Sequence, residues 1–177
     1  MCRRWLKANA GKYKIDKGRI GAIGFSAGAE LALMLGLADP SGGLEGTCGN
    51  SRISTRIQAV VNIAGSPDLA KEHERGTYSH LNEALLGGAP EEVPALYKAA
   101  SAINYVRPDI PPVLTICGSK DAAFNDVKAF DDKMKAVGAP HTLIVIDSAG
   151  HKLSDLLDFF QDNPAWDFFT KHLEQAQ

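Results

Sequence analysis

A serine set between two glycines, with an aspartate and a histidine far downstream, supplies the three groups of a covalent hydrolytic relay: nucleophile, carboxylate and base. The serine is Ser26 in Gly24-Phe-Ser-Ala-Gly28, at the end of an apolar run that starts at Arg19 and opens directly into a helix-like run over 29–38. In a strand-to-helix elbow of this pattern the serine sits on a tight, strained turn. The flanking glycines, here Gly24 and Gly28, are expected because a Cβ at either place would collide with neighbouring backbone. That geometry pushes Oγ clear of the strand. It also turns the N–H of Ala27, and the positive end of the following helix, toward the place where an oxyanion would form. A plain turn serine is the competing reading, and the strand before and helix after Ser26 weigh against it.

A serine hydroxyl needs a base within hydrogen-bond reach, and the base needs a carboxylate that fixes its tautomer and stabilises its positive charge. Gly118-Ser-Lys-Asp121 leaves one apolar run and Ala149-Gly-His151 leaves the next. Asp121 stands directly after its strand, which favours it over nearby Asp126, and His151 follows Gly150 at the end of its own strand. His73, His80, His141 and His172 read as surface or packing residues, with no spacing that suggests a metal site, so neither metal nor cofactor is expected. Cys117 lies in a predicted buried strand and reads as inert core, since burial suppresses thiolate formation. Cys2 and Cys48 add no metal-ligand spacing, the odd count of three leaves at least one thiol unpaired within the chain, and the disulfide status of Cys48, in a Gly-rich loop, stays open.

Bringing these groups to one place requires strands whose ends line up. The apolar runs predict four: the elbow strand, 57–64, 111–118 and 142–147. Val127, Phe130, Met134 and Val137 mark one face of a helix that Gly138 ends, a strand–helix–strand unit that demands parallel pairing. Residues 2–10 read as a helix with Arg3, Arg4 and Lys7 exposed and Gly11 as its stop, followed by a turn at 15–18. The Gly-rich stretch 39–55 reads as a surface loop. Residues 66–109 are too long for a simple crossover. They predict a cap-like insert over the carboxyl ends of the strands, with short helices at 81–86 and at 91–100, the second started by Pro90. At the end of the chain, Asn163 as N-cap and Pro164 as first residue start a helix that packs on the sheet through Trp166, Phe169 and Leu173.

The chain has 177 residues, 45% of them hydrophobic, and a net charge of −2. That length suits one domain with one core. The charge gives no basic stripe for nucleic acid, and no apolar run approaches the roughly 18 residues of a membrane span. The expected partner is a small-molecule ester. No signal peptide is legible, so the compartment is left unassigned.

Taken together, the motifs resemble the α/β-hydrolase superfamily, and within it the esterase and lipase group that includes acetyl-xylan and feruloyl esterases. The matching pieces are Trp5-Leu-Lys-Ala-Asn-Ala-Gly-Lys-Tyr-Lys-Ile-Asp16, the elbow, Arg56-Ile-Gln-Ala-Val-Val-Asn62, Leu85-Leu-Gly-Gly88, Tyr105-Val-Arg-Pro-Asp-Ile-Pro-Pro112 and the Asp121 and His151 segments, in family order over nearly the whole chain. The resemblance implies an α/β-hydrolase fold, with Ser26 as nucleophile, His151 as general base and then acid, Asp121 as orienting carboxylate and the Ala27 N–H as one oxyanion donor. Two departures stand out. The usual Val-Pro after the acid is replaced by Ala122-Ala-Phe-Asn125, and the strands and His-Gly-Gly loop that precede the elbow in the family have no counterpart upstream.

These readings lead to one α/β-hydrolase catalytic domain over 1–177, N-terminally truncated, with about four strands. The leading activity is metal-independent serine carboxylesterase action on small acyl or carbohydrate-linked esters. A peptidase of the prolyl-oligopeptidase type and a catalytically silent assembly module are the alternatives. The elbow strand, from Arg19 to Phe25, is expected to form an open edge covered by a second copy of the chain or by a separate polypeptide.

Overall fold

Among the described residues, four parallel strands form a single sheet in the order β1-β2-β3-β4, where β1 is Gly21–Phe25, β2 Ala59–Ile63, β3 Val113–Gly118 and β4 His141–Ile146. The computed structural model describes residues 2–38, 44, 49–50, 52–154 and 163–174. Most of the predicted loop at 39–55, including Cys48, lies outside them. Helices α1 (Cys2–Ala8) and α2 (Ala10–Tyr13) precede β1, and α3 (Ala27–Leu37) follows it. Helices α4 (Leu69–Glu74), α5 (Ser79–Leu86) and α6 (Pro94–Ala100), with a 3-10 turn at Ala102–Tyr105, lie between β2 and β3. Helix α7 (Phe124–Ala136) connects β3 to β4, and α8 (Pro164–Leu173) ends the described chain.

Helices cover both faces of the sheet, which is why β2 and β3 are apolar almost throughout and buried at every position. Successive strand residues point to opposite faces. Val60 and Val113, paired in register, face Leu33 and Leu37 of α3 and Phe130 and Met134 of α7. One residue on, Val61 and Leu114 face the other way, against Ala165, Phe168 and Phe169 of α8. Among the described residues β1 pairs only with β2, so the elbow strand is an edge, as its sequence context led us to expect.

Several local expectations are corrected. The first helix breaks at Asn9, and Gly11 lies inside α2 rather than stopping the chain. Lys7 is buried, only 6% exposed, because its stem packs inward while its ammonium donates to the Arg56 carbonyl. The helix expected from Pro90 begins at Pro94 instead. Pro94 has no N–H to continue an earlier helix, and it holds Val93 at φ −130° and ψ 52°. Helix α4, with Asp68 accepting from the N–H groups of Ala70 and Lys71, was not foreseen. In α8 the apolar face is Ala165, Phe168 and Phe169, spaced i, i+3, i+4, which turns Trp166 outward at 67% exposed.

Candidate active site

At the end of β1 the chain does what the Gly-x-Ser-x-Gly spacing requires. Ser26 takes φ 53° and ψ −127°, a conformation that side-chain-bearing residues rarely adopt, and its N–H donates to the Ile63 carbonyl at 2.9 Å. Its own carbonyl accepts from the N–H groups of Ala29 and Glu30 at 2.8 and 3.1 Å, which starts α3 at once. Gly24 is required by close approach: a Cβ there would lie 2.0 Å from the Gly28 carbonyl oxygen. Gly28 differs from the expectation. A Cβ added to it would meet nothing within 4 Å among the described residues, because the backbone that crosses this point belongs to Gly28 and presses on Gly24, not the reverse.

The other two groups reach Ser26 through a second close approach that the sequence reading missed. A Cβ on Gly118, the last residue of β3, would lie 2.2 Å from the Ala149 carbonyl oxygen, and the Lys120 N–H donates to that oxygen at 2.9 Å. The turn after β3 and the loop after β4 are thereby locked together. Asp121, 5% exposed, accepts from the Ala123 N–H through Oδ1 at 2.8 Å and lies 2.8 Å from His151 Nδ1 through Oδ2. His151 Nε2 in turn lies 2.8 Å from Ser26 Oγ. With Nδ1 donating to the carboxylate, Nε2 keeps its lone pair for the serine proton. The structure thus brings Ser26, Asp121 and His151 into one chain, and it puts Ala27, exposed, at the start of α3 beside them. Asp126 is engaged elsewhere: it pairs with Arg75 and accepts from Ser66 Oγ at 3.3 Å.

Two aromatic rings border the imidazole. Phe25, just before the serine, has its ring centroid 5.4 Å from that of His151, and Tyr78, from the turn between α4 and α5, has its own at 5.8 Å. Nothing in the sequence marked Tyr78, since its approach depends on how the 66–109 segment folds back. Near the elbow, burial pushes the Glu30 carboxyl up to about 7, and the charge of Glu72 adds to the effect. Burial, reinforced by the Asp121 charge, drives the Cys117 thiol up to about 12, which keeps it un-ionised.

A second aspartate–histidine–hydroxyl series exists in the core. His141 Nδ1 lies 2.8 Å from Asp131 and its Nε2 2.9 Å from the Thr115 hydroxyl. Thr115 is wholly buried in mid-sheet, and burial holds the His141 pKa below its usual value. No substrate reaches that hydroxyl, so the series is packing, as expected of His141.

Comparison with known proteins points one way. The BD-FAE family model matches residues 2–133. Esterase LipC of Mycobacterium tuberculosis is 30% identical over 180 residues, an alignment covering 97% of this chain and 44% of LipC. Among solved structures, a truncated form of carbohydrate esterase from gut microbiota superimposes with a TM-score of 0.82 at 28% identity, over 98% of this chain and 66% of that one. An acetyl ester-xyloside bifunctional hydrolase from Caldicellulosiruptor lactoaceticus does so with a TM-score of 0.72 at 27% identity, over 96% and 60%. The chain spans less than half the length of LipC.

Proposed function

Because the chain belongs to the BD-FAE family and has the α/β-hydrolase fold of its esterase relatives, we propose that it hydrolyses carboxylic esters through an acyl-enzyme on Ser26. The observation that carries this reading is the unbroken series Asp121–His151–Ser26, two contacts of 2.8 Å, set on a strained elbow. His151 takes the Ser26 proton as Oγ attacks the ester carbonyl. Asp121 holds the imidazole in the required tautomer and stabilises the imidazolium. The tetrahedral oxyanion forms against the Ala27 N–H at the start of α3, where the helix dipole favours negative charge. His151 then protonates the departing alcohol, and a water activated by the same ring releases the acid from Ser26.

Small acyl or carbohydrate-linked esters are the substrates favoured, in keeping with the carbohydrate esterase and the acetyl ester-xyloside hydrolase that share the fold. The chemistry needs no metal, because nucleophile and base are both supplied by side chains. The open edge of β1 is suited to a further strand from outside the described residues, a second copy or a separate polypeptide among its sources, and such a strand would also bring the second oxyanion donor.

Labelling with a fluorophosphonate, read by mass on the peptide containing Ser26, tests the nucleophile. Modification at Ser26, absent in Ser26→Ala, is the expected result; an unlabelled wild-type chain would refute the reading. Rates on acetyl, butyryl and feruloyl esters set against a peptide amide separate esterase from peptidase. The edge is tested by solution mass and activity together, and a monomer fully active on its own would count against the added strand.

A further inference from the structure

Tyr78 has no part in the proton relay, yet its ring lies against the imidazole that performs it. The residue is held from both sides. Three positions earlier, Arg75 at the end of α4 forms an ion pair with Asp126 in the first turn of α7, and the Ser66 hydroxyl donates to the same carboxylate. Arg75 and Asp126 are largely buried, with side chains 24% and 11% exposed, so this contact is shielded from solvent. The chain then turns at Gly76, φ +76°, and the Tyr78 carbonyl accepts from the N–H groups of Leu81 and Asn82 at 2.9 and 3.1 Å, which starts α5. A fixed backbone thus presents a half-buried tyrosine ring 5.8 Å, centroid to centroid, from His151.

The mechanism says which part of a substrate meets such a ring. Acylation ends when Nε2 of the histidine hands its proton to the leaving oxygen, so that oxygen must come within hydrogen-bond reach of Nε2. The acyl group stays with Ser26 and the oxyanion donor. What extends past the imidazole is the alcohol. We propose that Tyr78 is a specificity-determining residue for the alcohol half of the ester, its ring forming a platform for a cyclic alcohol such as a sugar or an aryl ring, and that the Arg75–Asp126 pair positions it. This rests on the esterase reading above and deepens it: the insert selects the alcohol, while the elbow handles the acyl group.

The test holds the acyl group constant and varies the alcohol. Acetate esters of methanol, of 4-nitrophenol and of a xyloside are compared in wild type, Tyr78→Ala, Tyr78→Phe and Asp126→Asn, with fluorophosphonate labelling of Ser26 as a control that involves no cyclic alcohol. A ring contact of this kind corresponds to about a tenfold change at most. The expected result is a loss in kcat/KM of about that size for the aryl and xyloside esters in Tyr78→Ala, carried mainly by KM, with methyl acetate and the labelling rate within about twofold. Tyr78→Phe keeps the preference, and Asp126→Asn shows a smaller loss with the same alcohol dependence. An equal loss on all three esters, or none on any, with labelling intact, overturns the assignment of Tyr78 while leaving the esterase reading in place. Failure of the wild type to label at Ser26 overturns both.

Discussion

Replacing Gly24 and Gly28 by alanine, one at a time, separates two glycines that the sequence pattern treats as equivalent. At Gly24 an added Cβ would lie 2.0 Å from the Gly28 carbonyl oxygen, 2.2 Å from its carbon and 2.5 Å from the Ala29 nitrogen, where ordinary contact begins near 3.4 Å. All three are backbone atoms of the first turn of α3, so no side chain can swing aside. Relieving the closest contact requires the start of α3 to move by about 1.4 Å relative to β1. Overpacking of this kind costs about 1–3 kcal/mol. The kinetic cost is larger, because Ser26 joins the two elements and its Oγ must stay 2.8 Å from His151 Nε2. A misplacement of about 1 Å at a reacting group lowers rates by roughly a hundredfold. Gly28→Ala meets nothing within 4 Å among the described residues, and exchanging a helical glycine for alanine favours the helix by about 0.5–1 kcal/mol. The assay is the rate of fluorophosphonate labelling at Ser26 together with the urea midpoint of each variant. Gly24→Ala is expected to label about a hundredfold more slowly and unfold earlier, with Gly28→Ala close to wild type. Wild-type labelling by Gly24→Ala, or greater damage from Gly28→Ala, would refute the reasoning.

Asp121→Asn should reduce ester hydrolysis by about four orders of magnitude, by analogy with other triads in which the wrong histidine tautomer results. Asp126→Asn should leave methyl acetate hydrolysis within a few-fold; a reversal of the two effects would reassign the carboxylate. Glu30 sets a pH dependence of stability. Its carboxyl is raised from 4.5 to about 7, chiefly by burial, so the native state holds a proton that the unfolded chain has released. The stability tied to this group is therefore complete below about 4.5 and lost as pH rises through about 7, a total near 3 kcal/mol. Urea midpoints at mildly acid and mildly alkaline pH should diverge in wild type and converge in Glu30→Gln, and equal slopes in both would refute the assignment. A strong chelator should leave the ester rate unchanged; loss of activity restored by zinc or calcium would argue for a metal step.

What could be read from the residues is whatever depends on local pattern. The elbow announces itself because a strained turn needs Gly24, and Asp121 and His151 are legible because each follows an apolar run long enough to be a buried strand. The crossover α7 was visible in Val127, Phe130 and Met134, all of which are buried. The errors arose where two elements meet. Lys7 carries a charge and reads as surface, yet the Arg56 carbonyl accepts its ammonium. Trp166 is the largest apolar residue of its helix, but the helical phase gives the sheet Ala165, Phe168 and Phe169 instead. Tyr78 and the Arg75–Asp126 pair carry no periodic signal, because their positions follow from the path of the chain between β2 and β3. Gly118 ends its strand as the sequence indicates, and the close crossing of the Ala149 backbone there leaves no local signal.

The same contrast explains why the elbow face and the β1 edge belong to one problem. Ala27 and Gly28 are exposed, and Ile23 in the middle of β1 is 52% exposed. Gly21, Ile23, Trp166, Phe169 and Leu173 line a groove of about 330 Å³. A parallel strand paired on one side only leaves alternate N–H and C=O groups pointing outward, and an apolar strand in that state templates association unless charge or proline blunts it. Arg19 is the only charge in the run from Arg19 to Phe25, and no proline interrupts it. A strand laid along this edge would satisfy those backbone groups, cover Ile23 and bring further N–H groups to the edge that carries Ser26 and Ala27. Closing the sheet and completing the proposed oxyanion site would then be one pairing event.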